Sequence, residues 1–232
     1  MKCVILAGGR GTRISELSKD IPKPMITVLG KPIIFRIIMH YYNFGIREFI
    51  IAAGYKKDIL ENYFKRIKLS KIRVRVVNTG LKTMTGGRIK RLKKYLGNET
   101  FLLTYGDGLS SVNVKKLINF HKKNNKIATL TAVRPPARFG AIKIKGSQIK
   151  YFKEKSKLDE GWINGGFFVF ESKIFNYLKS DKTYLEREPL QKISKKGELY
   201  AYKHNGFWQC MDTLRDKEIL EKELKKNVLQ KL

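Results

Sequence analysis

Residues 6–13, Leu-Ala-Gly-Gly-Arg-Gly-Thr-Arg, continue a short apolar run from Cys3 to Ala7 and are soon followed by Ile21-Pro22-Lys23-Pro24-Met25. A strand that empties into a glycine-rich turn can aim successive backbone N–H groups at a phosphate. Gly8, Gly9 and Gly11 permit positive φ and a close approach that a Cβ would block. Arg13 adds a planar cationic fork and Lys23 a mobile point charge. No Gly-Lys-Ser/Thr closes the loop and the glycine spacing is not Gly-x-Gly-x-x-Gly, so neither a Walker A loop nor a dinucleotide fingerprint is present. The chemistry on offer is capture of a nucleoside triphosphate. The plain alternative, sufficient for Gly-Gly alone, is a tight turn after a buried strand.

Two carboxylates stand where phosphate chemistry needs them. The apolar run Phe101–Tyr105 ends in Gly106-Asp107-Gly108, and Met211-Asp212-Thr213 follows another apolar segment much later. Together Asp107 and Asp212 could hold one Mg²⁺, which takes oxygen ligands and keeps several waters. Taken singly, Gly-Asp-Gly is a good turn and Asp212 a good N-cap for a terminal helix. Between them lie Lys153-Glu154-Lys155 and Trp162-Ile163-Asn164-Gly165-Gly166-Phe167. Here a lysine could hold a second anion, and the Asn-Gly-Gly turn could approach sugar hydroxyls. Solvated edge lysines and hairpin turns are the ordinary readings of the same residues.

Alternating elements must position these groups. Strands are expected at Cys3–Ala7, Glu48–Ala53, Ile72–Val77, Thr100–Tyr105 and Ile127–Val133. Helices are expected between them at Pro32–Phe44, Lys57–Arg66, Gly87–Leu96 and Val112–Asn124. That alternation implies a largely parallel sheet covered on both faces, with ligands beyond the carboxyl ends of its strands. After residue 135 the texture changes, with a hairpin at Phe139–Ile144 and Gln148–Lys153 and a strand at Gly166–Phe170. Helical stretches at Ser172–Leu178 and Leu185–Lys195, strands at Leu199–His204 and Phe207–Met211 and a helix at Thr213–Lys226 complete it. No linker or repeat divides the chain. One unit over 1–232 is expected, with the part over 135–232 built onto the sheet of 1–134.

Composition narrows the partners. The 232 residues hold 49 Lys and Arg against 20 Asp and Glu, a formal net charge of +29. The basic residues are dispersed, with modest clusters at Lys65–Arg75, Arg88–Lys94 and Lys115–Lys126, and no helix-turn-helix, zinc-finger or ribonucleoprotein pattern accompanies them. Weak adhesion to nucleic acid at low salt is expected, specific recognition is not. No apolar run reaches the roughly 20 residues of a membrane span. Two isolated cysteines, Cys3 and Cys210, and an N-terminus that enters a strand at once suit a reducing cytoplasm.

The order of these motifs resembles that of the sugar-1-phosphate nucleotidyltransferases, and most specifically the bacterial glucose-1-phosphate cytidylyltransferases. It is carried by Leu6–Arg13, Pro22–Met25, Thr83-Met84-Thr85-Gly86-Gly87-Arg88, Tyr105–Gly108, Pro135–Ala141, Trp162–Val169 and Gly206–Lys217. The resemblance implies a three-layer, Rossmann-like α/β fold with a mostly parallel mixed sheet and a small β-rich sugar-binding subdomain. It implies that 1–134 binds the nucleotide and 135–232 the sugar phosphate. It implies CTP bound by Leu6, Ala7, Gly8, Gly9, Arg10, Gly11, Thr12, Arg13 and Lys23, with Thr83, Arg88 and Gly106 beside the nucleotide. Arg13, Lys23, Asp107 and Asp212 would be catalytic, the two aspartates holding Mg²⁺. Lys155 would engage the sugar phosphate and Asn164 and Gly165 the sugar, in a cytoplasmic homo-oligomer. Three departures stand out: a short run between Phe64 and Val77 where relatives carry a longer insert, Ser156 after Lys155 in place of a usual Pro, and Cys210 in place of another. Another nucleotide or acceptor, or a silent domain that only binds nucleotide, is the competing expectation.

Overall fold

Strand β1 (Lys2–Ala7) alternates its side chains between two cores, and that alternation explains the layering. Cys3, Ile5 and Ala7 pack into one apolar cluster, while Val4 and Leu6 pack into the other. The computed structural model describes residues 1–67, 69–135, 141–153 and 161–226. Its main sheet adds β2 (Glu48–Ala53), β3 (Arg73–Asn78), β4 (Phe101–Tyr105), β5 (Ala128–Val133), β6 (Ile163–Phe170) and β7 (Leu199–His204). The seven lie in the order β7-β5-β6-β4-β1-β2-β3. β1 runs parallel to β2 and β4, β2 to β3, and β5 to β7, whereas β6 is antiparallel to both neighbours. This is the expected mixed, mostly parallel Rossmann-like sheet, and strands from both halves of the chain share it.

Helices cover both faces. Ile33–Asn43 puts Ile33, Ile34, Ile37, Ile38 and Tyr41 on one stripe, none more than 1% exposed. Each contributes about 1.5–3 kcal/mol of burial. This helix shares its core with Leu60, Leu117, Leu220 and Leu224 of three others. The opposite core holds Ile89, Leu96, Ile174, Leu190 and Ile193.

Several expected elements come out differently. The helix expected at Gly87–Leu96 is two pieces, Thr85–Arg91 and Lys93–Leu96, meeting at Leu92. Ser172–Tyr177 is a 3₁₀ helix. The helix expected from Leu185 starts at Glu188, because Pro189 favours a first helical turn and leaves Tyr184–Arg187 to form a bend. The hairpin is Ala141–Lys145 paired with Gln148–Lys153. The strand expected at Phe207–Met211 is Trp208–Cys210, and it pairs antiparallel with Gly108–Ser110, a strand that was not expected.

Candidate active site

Beyond the carboxyl ends of β1 and β4 lies a cleft of about 420 Å³, lined in part by Leu6, Ala7, Gly8, Gly9, Gly11, Thr12 and Arg13. Gly106 joins this rim, its N–H donating to the Leu6 carbonyl at 3.0 Å. Of the three loop glycines, only Gly11 adopts positive φ, at 69°. Gly8 serves close approach instead, since a Cβ there would meet the Arg88 guanidinium at 2.0 Å. Nothing lies within 4 Å of a Cβ on Gly9.

Arg88 is the clamp behind this loop. Its buried guanidinium donates to the carbonyls of Gly8 (3.0 Å), Gly80 (2.8 Å) and Ala53 (3.3 Å) and to Thr79 Oγ1 (2.7 Å). No carboxylate is among these partners, and burial, with Arg91 nearby, lowers its pKa. The structure therefore has Arg88 fixing the loop from behind while it also lines the cleft.

The pairing of Gly108–Ser110 with Trp208–Cys210 brings the two carboxylates together. Cys210 is in register with Gly108, and Met211 N donates to the Asp107 carbonyl at 2.8 Å. Lys23 projects from a 3₁₀ turn, Lys23–Met25, whose flanking Pro22 and Pro24 restrict the backbone. Its ammonium lies 2.7 Å from Asp107 Oδ2 and 2.6 Å from Asp212 Oδ1, and Arg13 Nη1 reaches Asp212 Oδ2 at 2.7 Å. Burial pulls the Lys23 pKa down, but Asp107 and Asp212 outweigh it and raise the net value. Burial likewise lifts Asp212, yet Lys23 and Arg13 hold it below the usual carboxylate range.

Asp212 does not cap the terminal helix. Thr213 does, in a reciprocal box with Asp216, whose Oδ2 accepts from the N–H groups of Thr213 (2.9 Å) and Asp212 (3.0 Å). Gln209 donates to the other Asp216 oxygen at 2.9 Å. Asp216 thus fixes the backbone of Asp212 and leaves its carboxylate to the cleft. The Thr-x-x-Asp spacing was the available sequence signal.

Two hard carboxylate oxygens already converge on one cation, so the donor set fits a divalent metal. Among the described residues no cluster of three or more His, Cys, Asp or Glu side chains is placed to hold an ion. That suits Mg²⁺, which is commonly held by one or two carboxylates with waters and phosphates.

Thr83 is buried and lines the cleft. Arg10 instead lines a neighbouring hollow with Glu16, Lys19 and Tyr55. Asn164 and Gly165 are not among the residues lining this cleft: Asn164 Nδ2 donates to Tyr105 Oη of its wall at 3.3 Å, and the Gly165 carbonyl accepts from Trp208 Nε1 at 2.7 Å. Lys155 lies outside the described residues. Pro24, Met84, Thr85, Tyr105 and Tyr184 also line the cleft. Tyr184 and Thr85 come together because the bend before Pro189 folds onto helix Thr85–Arg91, a contact with no local sequence signature. A larger groove, about 640 Å³, lies at the opposite ends of β1–β3 beside Lys2, Glu48 and Arg73. It holds neither the glycine loop nor the paired aspartates.

Comparison with known proteins places the chain in a family. The Nucleotidyl transferase family model matches residues 2–216. The chain is 45% identical to the glucose-1-phosphate cytidylyltransferase of Salmonella typhimurium over 243 aligned positions, covering 95% of each protein. The crystal structure of HddC from Yersinia pseudotuberculosis is 28% identical and superposes with a TM-score of 0.75, over 96% of this chain and 99% of that one. A UDP-glucose pyrophosphorylase shares the fold at a TM-score of 0.77 and 21% identity, over 97% and 98% of the two chains. With the family model matching residues 2–216 and a relative 45% identical over 95% of both chains, the chain belongs to the nucleotidyl transferase family.

Proposed function

We propose that this protein transfers CMP from CTP to a sugar 1-phosphate, α-D-glucose 1-phosphate first among them, giving a CDP-sugar and pyrophosphate with Mg²⁺ as cofactor. The observation that carries the reading is the convergence of Asp107, Asp212, Lys23 and Arg13 at the mouth of the glycine loop. The 45% identity to a cytidylyltransferase supports the choice of nucleotide and acceptor. A cytoplasmic homo-oligomer is part of the same proposal; among the described residues no helix is long and apolar enough to cross a membrane.

In this reading an oxygen of the sugar phosphate attacks the α-phosphorus of CTP, forming one P–O bond. The bond to the β-phosphate oxygen breaks, and pyrophosphate leaves with its electron pair. The nucleophile is already an anion, so no general base is needed. None of the three histidines, His40, His121 and His204, lines the cleft. The work is positioning and charge neutralisation. Leu6–Thr12 hold the nucleotide, with Gly106 and Thr83 alongside. Arg13 and Lys23 meet the triphosphate, Lys23 exchanging a carboxylate for a phosphate oxygen. Asp107 and Asp212 would hold Mg²⁺, which supplies positive charge beside the reacting phosphates. Asn164 and Gly165 face the sugar and Lys155 its phosphate.

The test is product identification by mass after incubating the protein with Mg²⁺, CTP and glucose 1-phosphate. CDP-glucose with stoichiometric pyrophosphate is the expected outcome. Turnover with another nucleotide or sugar phosphate alone would move the specificity, and binding of CTP without turnover on any acceptor would favour a silent domain.

A further inference from the structure

Glu186 belongs to none of the motifs above, yet its carboxylate joins the two walls of the cleft. It sits on the bend before helix Glu188–Lys195 and is exposed. Oε2 accepts from Thr85 Oγ1 at 2.6 Å on one wall, and Oε1 accepts from Tyr105 Oη at 2.7 Å on the other. Thr85 and Tyr105 both line the cleft.

These bonds have only one possible direction. An ionised carboxylate only accepts, so the Tyr105 phenol must give its proton to Glu186 and keep its lone pairs for a donor. That donor is Asn164 Nδ2, at 3.3 Å. Asn164 Oδ1 in turn accepts from Gly166 N at 2.9 Å, which prevents the amide from turning over. The second N–H of the Asn164 amide has no partner among the described residues, and it remains a donor of fixed orientation.

We propose that Glu186 is a positioning residue for the acceptor: through Tyr105 it orients the Asn164 amide toward a hydroxyl of the sugar 1-phosphate. The proposal rests on the reading of the site given under Proposed function. Its substrate class is a hydroxylated sugar phosphate, because a single oriented N–H selects a lone pair on a ring hydroxyl.

The experiment compares wild type, Glu186→Gln, Tyr105→Phe and the double variant. Gln keeps the size of Glu but removes its charge, so the bond accepted from Tyr105 is no longer charge-assisted. Glu186→Gln should raise the KM for glucose 1-phosphate about tenfold, the worth of one charge-assisted hydrogen bond. It should leave kcat within about threefold and the Kd for CTP, measured without acceptor, within about twofold. Tyr105→Phe should behave alike, and the double variant should lose no more than either single one, since both cut the same chain. Losses that multiply in the double variant, a KM unchanged in Glu186→Gln, or CTP binding weakened as much as acceptor binding would each overturn the proposal. Titration of wild type with glucose 1-phosphate and CTP separates the two levels of failure. A wild type that neither binds nor uses any sugar 1-phosphate overturns the functional reading and this proposal together, whereas normal wild-type use with an unaltered Glu186→Gln overturns this proposal alone.

Discussion

Lys23 is the residue on which the electrostatics of the cleft turns. It is 9% exposed, against 27% for Asp107 and 16% for Asp212, and it holds together two carboxylates that would otherwise repel. Lys23→Met should destabilise the fold by roughly 2–3 kcal/mol at pH 7, measured by denaturant unfolding, because partly buried charges are left uncompensated. The pH dependence follows from the two shifts. Asp212, depressed in the fold, contributes stability above its unfolded pKa of about 3.9 and loses it as pH falls through the folded value. Lys23, raised in the fold, contributes below its unfolded value of about 10.4 and loses it only as pH rises through the folded one. The gap between wild type and variant should therefore be flat from about pH 5 to 9 and should close on acidification below about pH 4. A gap that widened in acid would contradict this pairing. Mg²⁺ without nucleotide should stabilise Lys23→Met more than wild type, since the variant offers the carboxylates without a resident ammonium. At this scale the sequence was informative about which residues meet, because Asp107 and Asp212 each sit at a turn after an apolar run and Lys23 stands between two prolines soon after the glycine loop. It was silent about how Arg88 is held, because a motif position says nothing of the four oxygens that surround its guanidinium.

Elements explain why those residues meet. The glycine loop holds its shape because Arg88 reaches the Gly8 carbonyl through the space a Cβ would fill. Gly8→Ala should displace that guanidinium and weaken CTP binding by at least tenfold, whereas Gly9→Ala, with open space around it, should change binding by less than threefold. Equal losses at the two positions would refute the clamp. Thr213→Ala removes the helix cap and should cost about 1 kcal/mol, seen as a melting point about 2–4 °C lower. Asp216→Ala should cost more than Thr213→Ala, and it should also lower kcat, because Asp216 holds the backbone of Asp212. Strands and helices in the first half were legible to within a residue or two because their apolar periods are strong. Strand Gly108–Ser110 and its pairing with Trp208–Cys210 were not, because the strand is three residues long and finds its partner about a hundred residues away. The bend at Tyr184–Arg187 was hidden for the same reason: its contacts with Thr85 and Tyr105 are tertiary.

For the whole molecule, the net charge of +29 surrounds a cleft built for two polyanions. The value of kcat/KM should fall as salt rises from about 0.05 to 0.3 M, mostly through substrate capture, while adhesion to duplex DNA should vanish above about 0.2 M. DNA binding that survived that salt would point to a specific nucleic-acid role. Fold class was readable from alternation alone. The central claim is that transfer occurs at the paired aspartates, so the most direct measurement is pyrophosphate release by Asp107→Asn and Asp212→Asn beside wild type, with CTP, glucose 1-phosphate and Mg²⁺. The account predicts that each variant folds, melts within about 5 °C of wild type and loses at least 100-fold in kcat. Turnover near the wild-type rate in either folded variant would contradict it.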